Sequence, residues 1–114
     1  MNLEERIALL EFQMELLFGN TDVDRLFFEE KINREQYKAI MDLMESIRDR
    51  IDDGEKVHHY EFESAIYEIL SDKNRDYHLP ELIAKEFAME GRWVEVFQTL
   101  YGDMPKFQGL VFEK

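Results

Sequence analysis

Apolar residues recur along the chain with helical spacing, beginning at its first residues. Asn2 is followed three residues later by Glu5, a capping-box pattern that marks a helix start. We predict a first helix from about Leu3 to Phe18, ending at Gly19 and Asn20. One stripe in it has the spacing of a heptad repeat. Its members are Leu3, Ile7, Leu10, Met14 and Leu17.

A second stripe on the same helix consists of Leu9, Phe12 and Leu16. It falls on nearly the opposite side when successive residues are placed about 100° apart. The first helix is therefore apolar on two faces.

Further helical patterns fill the rest of the chain. A short helix is expected over 21–30, and the capping-box pair Asn33 and Gln36 opens a third, which ends at 53–54. A fourth begins near His58 and loses its pattern at 71–74. The pattern after Pro80 keeps phase across Gly91, as one helix with a weak point there or as two short ones. No segment alternates as a strand does, so we predict an all-α, multihelical bundle of four to five helices.

The chain is expected to form one domain, 1–114, since 114 residues suit a single hydrophobic core. Its end, 103–114, follows a break at 102–105 and is too apolar for a free terminus. We predict that this tail docks.

Apolar residues exceed what a small monomer would expose. We therefore predict a homo-oligomer, with the second stripe and the tail at its interface. The alternative is a first helix at the centre of the bundle, covered on both sides by its own chain. The predicted interface residues are Leu9, Phe12, Leu16, Phe107, Leu110 and Phe112.

The charge and composition of the chain limit the classes of partner that it can bind. The formal net charge of −12 repels nucleic-acid backbones and anionic membrane surfaces. The chain has no cysteine, which excludes disulfides and thiol chemistry. No apolar run approaches the roughly 18 residues of a membrane span, and the N-terminal residues lack a signal-peptide pattern. We expect a cytoplasmic protein that binds neither nucleic acid nor membranes.

Four residues are the best candidates for metal chemistry: His58, His59, Glu63 and His78. His59 and Glu63 are four residues apart and could hold one ion, completed by His78 or by a second subunit. The preferred interpretation is that His58 and His59 are partly covered residues at a helix start. Catalytic triads, glycine-rich phosphate loops and HExxH are absent from the sequence. We therefore assign no catalytic residue, no cofactor and no metal.

The chain as a whole, from the Glu-Glu-Arg-Ile-Ala-Leu-Leu-Glu-Phe-Gln opening at 4–13 through 60–62 and 91–93 to the apolar tail, resembles the YhaI-like family of small proteins from Bacillus-type bacteria. The resemblance implies an all-α, self-associating protein with intertwined subunits, a trimer being one form. It implies no activity and no site residues.

Two functions remain open. The first is a non-enzymatic homo-oligomeric interaction protein that also binds another protein, with regulation as one such role. The second is a metal-binding or hydrolytic helical protein with its site at a subunit interface.

Overall fold

The computed structural model describes residues 2–73 and 78–109, and this part of the chain is helical, without strands. It forms a body of 44 × 26 × 25 Å. Six α-helices and one short 3-10 helix are present in it, so the all-α prediction is confirmed, whereas four to five helices were expected. They are α1 (Leu3–Gly19), α2 (Asp22–Glu29), α3 (Arg34–Asp52), α4 (His59–Ile69), α5 (Leu79–Met89), α6 (Val94–Tyr101) and the 3-10 helix Pro105–Phe107.

The starts of α1, α2, α3 and α4 are set by side chains that accept hydrogen bonds from free backbone N–H groups. The Asn2 side chain accepts from the Glu5 amide at 2.8 Å. The Asn33 side chain accepts from the Gln36 amide at 2.8 Å, and the Gln36 side chain accepts from the Asn33 amide at 3.0 Å, which completes a capping box. Thr21 caps α2 in the same reciprocal way. These local pairs explain why sequence spacing located the starts.

Three helix ends share a left-handed residue followed by a backbone hydrogen bond that reaches back five positions. Gly54 (φ 85°) closes α3 and Gly91 (φ 83°) closes α5. After α2 the left-handed position holds Lys31, at φ 54°. The next amide, that of Ile32, donates to the Phe27 carbonyl at 3.0 Å. This Schellman arrangement satisfies carbonyls that the helix leaves unpaired.

Gly91 separates α5 from α6, which decides between the two predicted forms in favour of two short helices. Trp93 follows in a left-handed conformation, φ 53°, and caps α6. Its indole packs edge-on against Phe87, with ring centroids 4.9 Å apart, and its Nε1–H donates to a Glu45 carboxylate oxygen at 3.1 Å.

The core is built around α5, which packs against α2, α4 and α6. Helix α3 packs against α4 and α6 on the far side. Phe87 and Ile83 are fully buried, and the Phe27 ring of α2 meets that of Phe87 at 5.9 Å. The six buried residues of α5 are Leu79, Pro80, Ile83, Ala84, Phe87 and Ala88.

Helix α1 lies at the edge of the bundle, and its main packing partner is α2. Phe12 and Leu16 are each 4% exposed. The Phe12 ring packs edge-on against Tyr37 of α3 with centroids 5.3 Å apart, and the Arg34 guanidinium lies 5.0 Å above it. Arg34 also pairs with Glu15. Residues 2–73 and 78–109 therefore cover one face of α1 and leave the other exposed.

None of the helices in the described residues is both long enough and apolar enough to cross a membrane.

Candidate functional site

The outer face of α1 is the largest set of exposed apolar side chains in the described residues. It is the heptad stripe, here called the α1 seam. Its exposed fractions are Leu3 70%, Ile7 48%, Leu10 58%, Met14 70% and Leu17 54%. Phe18, beside it, is 94% exposed. Single exposed apolar residues are ordinary on protein surfaces, but a continuous row of five along one helix is typical of an interaction surface.

The predicted interface residues of α1 lie on the face that the rest of the chain covers. Phe12 and Leu16 belong to the core of the chain, and Leu9 is half-buried on the same side. The physical reason is the tight connection at Gly19 and Asn20, which folds α2 back onto this face. The stripe with heptad spacing faces outward instead. The exposed apolar face of α1 thus lies on the opposite side from the stripe that was predicted to form the interface.

The three predicted interface residues of the tail are not all described by the structure. Phe107 is half-buried and packs against Phe97 and Tyr101, with ring centroids 5.0 and 6.1 Å apart. It therefore docks on α6 of its own chain instead of standing free for a partner. Leu110 and Phe112 lie outside the described residues.

A cleft of about 680 Å³ lies between α4, the start of α5 and the 3-10 helix. Glu63 and His78, two of the four predicted metal candidates, are both in its lining. The four positions contributed by α4 follow the spacing of one helix face. The lining residues are Tyr60, Glu63, Ser64, Tyr67, His78, Glu81 and Lys106.

The two carboxylates of the cleft are already hydrogen-bonded. The Tyr101 hydroxyl donates to Glu63 Oε2 at 2.7 Å. Glu81 Oε1 lies 2.6 Å from Lys106 Nζ and 3.1 Å from His78 Nδ1. Burial of Tyr101 and, after it, the bond to Glu63 raise the pKa of Tyr101 above its ordinary value of 10.0. These hydrogen bonds and ion pairs stabilise the packing of α4, α5 and α6 against one another.

His58 and His59 stand apart from the cleft lining, at the start of α4. His58 caps the helix, because its Nδ1 accepts from the Tyr60 amide at 3.3 Å, and its ring stacks on that of Tyr60 with centroids 4.7 Å apart. The His59 ring lies 5.7 Å from that of Tyr101. Over residues 2–73 and 78–109 no three His, Asp or Glu side chains are arranged to hold a metal ion. The four candidates therefore do not converge within one chain.

Sequence reasoning missed the contributions of Tyr101, Glu81 and Lys106 to this region. The one signal available was the row Tyr60, Glu63, Ser64 and Tyr67, which lies beside the core stripe of the fourth helix. Tyr101 and Glu63 are 38 residues apart, so only the folded chain brings them together.

Comparison of the chain with protein-family models, with curated proteins and with solved structures finds no match.

Proposed function

We propose that this chain is a non-enzymatic, homo-oligomeric interaction protein that assembles through the α1 seam. The observation that carries the proposal is the row of five apolar residues, each about half exposed or more, on a helix whose other face is already packed. The expected resemblance to the YhaI-like family, with its self-associating subunits, agrees with this proposal.

Burial of the α1 seam contributes a substantial part of the free energy of association. Fully burying a Leu, Ile or Met side chain contributes about 1.5–3 kcal/mol. Weighted by the exposed fractions of 48–70%, five residues contribute roughly 4–9 kcal/mol for each subunit. A pair of subunits gains twice that, whereas association costs on the order of 4–15 kcal/mol in lost freedom and ordering. Assembly at micromolar concentration is therefore within reach of the seam.

The acidic charge of the protein limits the classes of partner in this proposal. With a formal net charge of −12, the protein is unsuited to bind nucleic acids or anionic membranes, and we place it in the cytoplasm. Its partners are copies of itself and, as a regulatory role would require, another protein.

Native mass spectrometry of the purified chain at micromolar concentration tests this function. We expect a complex of two or more subunits without retained metal. A monomer throughout the micromolar range, confirmed by sedimentation velocity, would refute self-association.

The second candidate function is a metal-binding or hydrolytic protein whose site is completed by another subunit. The observation in its favour is that Glu63 and His78 line one cleft. Against it, Glu63 is bonded to Tyr101, and the neighbouring Glu81 is bonded to Lys106 and to His78. Titration with Zn²⁺, followed by calorimetry, separates the candidates: stoichiometric binding that His78→Ala removes would favour the metal protein.

A further inference from the structure

We propose that the α1 seams of two copies of this chain pack in parallel and in register, with Arg6 of one copy paired to Glu11 of the other. This inference rests on the proposed function, since it names the partner of the seam and its orientation. It comes from the charges that border the seam.

The seam has the residue types of a two-stranded heptad interface. Counting Ile7 and Met14 as a positions places Leu3, Leu10 and Leu17 at d. One of the two a residues, Ile7, is β-branched, and in parallel coiled coils a β-branched residue at a with leucine at d favours two strands. All five side chains are exposed, and the main packing partner of α1, α2, lies behind them. Nothing in the described residues covers the seam.

The border charges select the orientation. Arg6 then occupies a g position, whereas Glu4 and Glu11 occupy e positions. In parallel helices a g residue faces the e residue five positions later on the neighbour, which brings Arg6 to Glu11. In antiparallel helices e faces e, so Glu4 and Glu11 of opposite chains would meet and repel. Like charges in such positions are a means of rejecting the wrong pairing.

Both members of the proposed pair are available. Arg6 and Glu11 are exposed, and neither has an ion-pair partner among residues 2–73 and 78–109. Glu15, one turn further on, differs because it is paired with Arg34 of its own chain. The fold thus satisfies Glu15 internally and leaves Glu11 and Arg6 at the edge of the seam.

Cysteine cross-linking measures the orientation directly, because the natural chain has no cysteine. In a parallel pair the two copies of Leu3 face each other, within reach of the roughly 4.4–6.8 Å Cα separation that a disulfide spans. In an antiparallel pair a d residue faces an a residue, so that Leu3 faces Met14 in the register that brings Glu4 to Glu11. We would oxidise Leu3→Cys alone, and also a mixture of Leu3→Cys with ¹⁵N-labelled Met14→Cys, and weigh the products. Ala8→Cys, exposed on α1 but outside the seam, is the matched control.

The expected result is a disulfide-linked pair from Leu3→Cys alone, with no excess of the mixed-label product and no linkage of Ala8→Cys. Predominance of the mixed-label product would overturn the parallel orientation while leaving self-association intact. An oligomer that links at neither position would show that the seam is not the interface. A monomeric natural chain would remove the proposed function itself.

Charge reversal gives an independent readout of the pair. We expect Arg6→Glu to weaken assembly several-fold, and the combination Arg6→Glu with Glu11→Arg to restore it. A double variant that assembles no better than Arg6→Glu would contradict the pairing.

Discussion

Replacing Leu10 by glutamate is the most direct test of the α1 seam. Leu10 is at the middle of the seam and is 58% exposed in the single chain. Scaling the roughly 1.5–3 kcal/mol of a fully buried leucine by that fraction gives about 0.9–1.7 kcal/mol per copy. Two copies meet at the interface, so the loss is about 2–3.5 kcal/mol. At about 1.4 kcal/mol for each factor of ten, the dissociation constant should rise roughly 30- to 300-fold.

The carboxylates add to this loss, because two copies of Leu10→Glu would face each other across the interface and repel. The fold of the single chain should be unaffected, since substitutions at exposed positions usually change stability by less than about 0.5 kcal/mol. A dilution series by sedimentation velocity gives the dissociation constant, and circular dichroism reports the helical content. Ala8→Glu is the matched control, because it adds the same charge to the same helix at an exposed position outside the seam.

Equal dissociation constants for Leu10→Glu and Ala8→Glu would refute the reasoning, because only one of them changes the seam. A loss of helical content in Leu10→Glu would instead contradict the exposed position of this side chain.

Three further predictions concern the single chain, and each is measured by urea unfolding of a monomeric variant. Phe12→Ala should lower the free energy of unfolding by about 3–5 kcal/mol because Phe12 is a core residue. Leu17→Ala should change it by less than about 0.5 kcal/mol because Leu17 is exposed. Similar losses for the two variants would contradict the assignment of a buried and an exposed face to α1. Tyr101→Phe should cost about 1.5–3 kcal/mol, the usual worth of a hydrogen bond to a charged group such as Glu63. Because the pKa of Tyr101 is raised in the folded chain, the contribution of Tyr101 to the free energy of unfolding should be complete below about pH 10. Above about pH 10 this contribution should decline, since the tyrosine loses its proton in the unfolded state first. A free energy of unfolding that rises with pH above about 10 would contradict the burial of this hydroxyl. Lys31→Gly should raise stability by about 1 kcal/mol because Lys31 has a left-handed backbone, and a loss would contradict that conformation.

Features set by a few neighbouring residues could be predicted from the sequence. Asn2 and Asn33 located two helix starts, since a cap and its partner are only three positions apart. Gly54 likewise marked the end of α3. The break at Gly91 stayed ambiguous because apolar residues recur with helical spacing on both sides of it.

Features set by distant contacts could not be predicted in this way. Two apolar stripes on α1 were visible, but only the path of the chain after Asn20 shows that α2 covers Phe12 and leaves Leu10 exposed. The hydrogen bond between Tyr101 and Glu63 depends on α6 docking against α4. His58 caps α4, as its interpretation as a helix-start residue indicated, because capping is again local, but its side chain is exposed and not partly covered as expected.

The chain has a single tryptophan, and its position provides an optical probe of folding. Trp93 is held between Phe87, the Arg92 guanidinium 4.7 Å from its ring, and the Glu45 carboxylate. Its fluorescence should therefore change when α3 separates from the turn between α5 and α6. Because α1 contains no tryptophan, assembly at the seam should leave the emission nearly unchanged. Folding and assembly of this protein can thus be followed as separate signals in one sample.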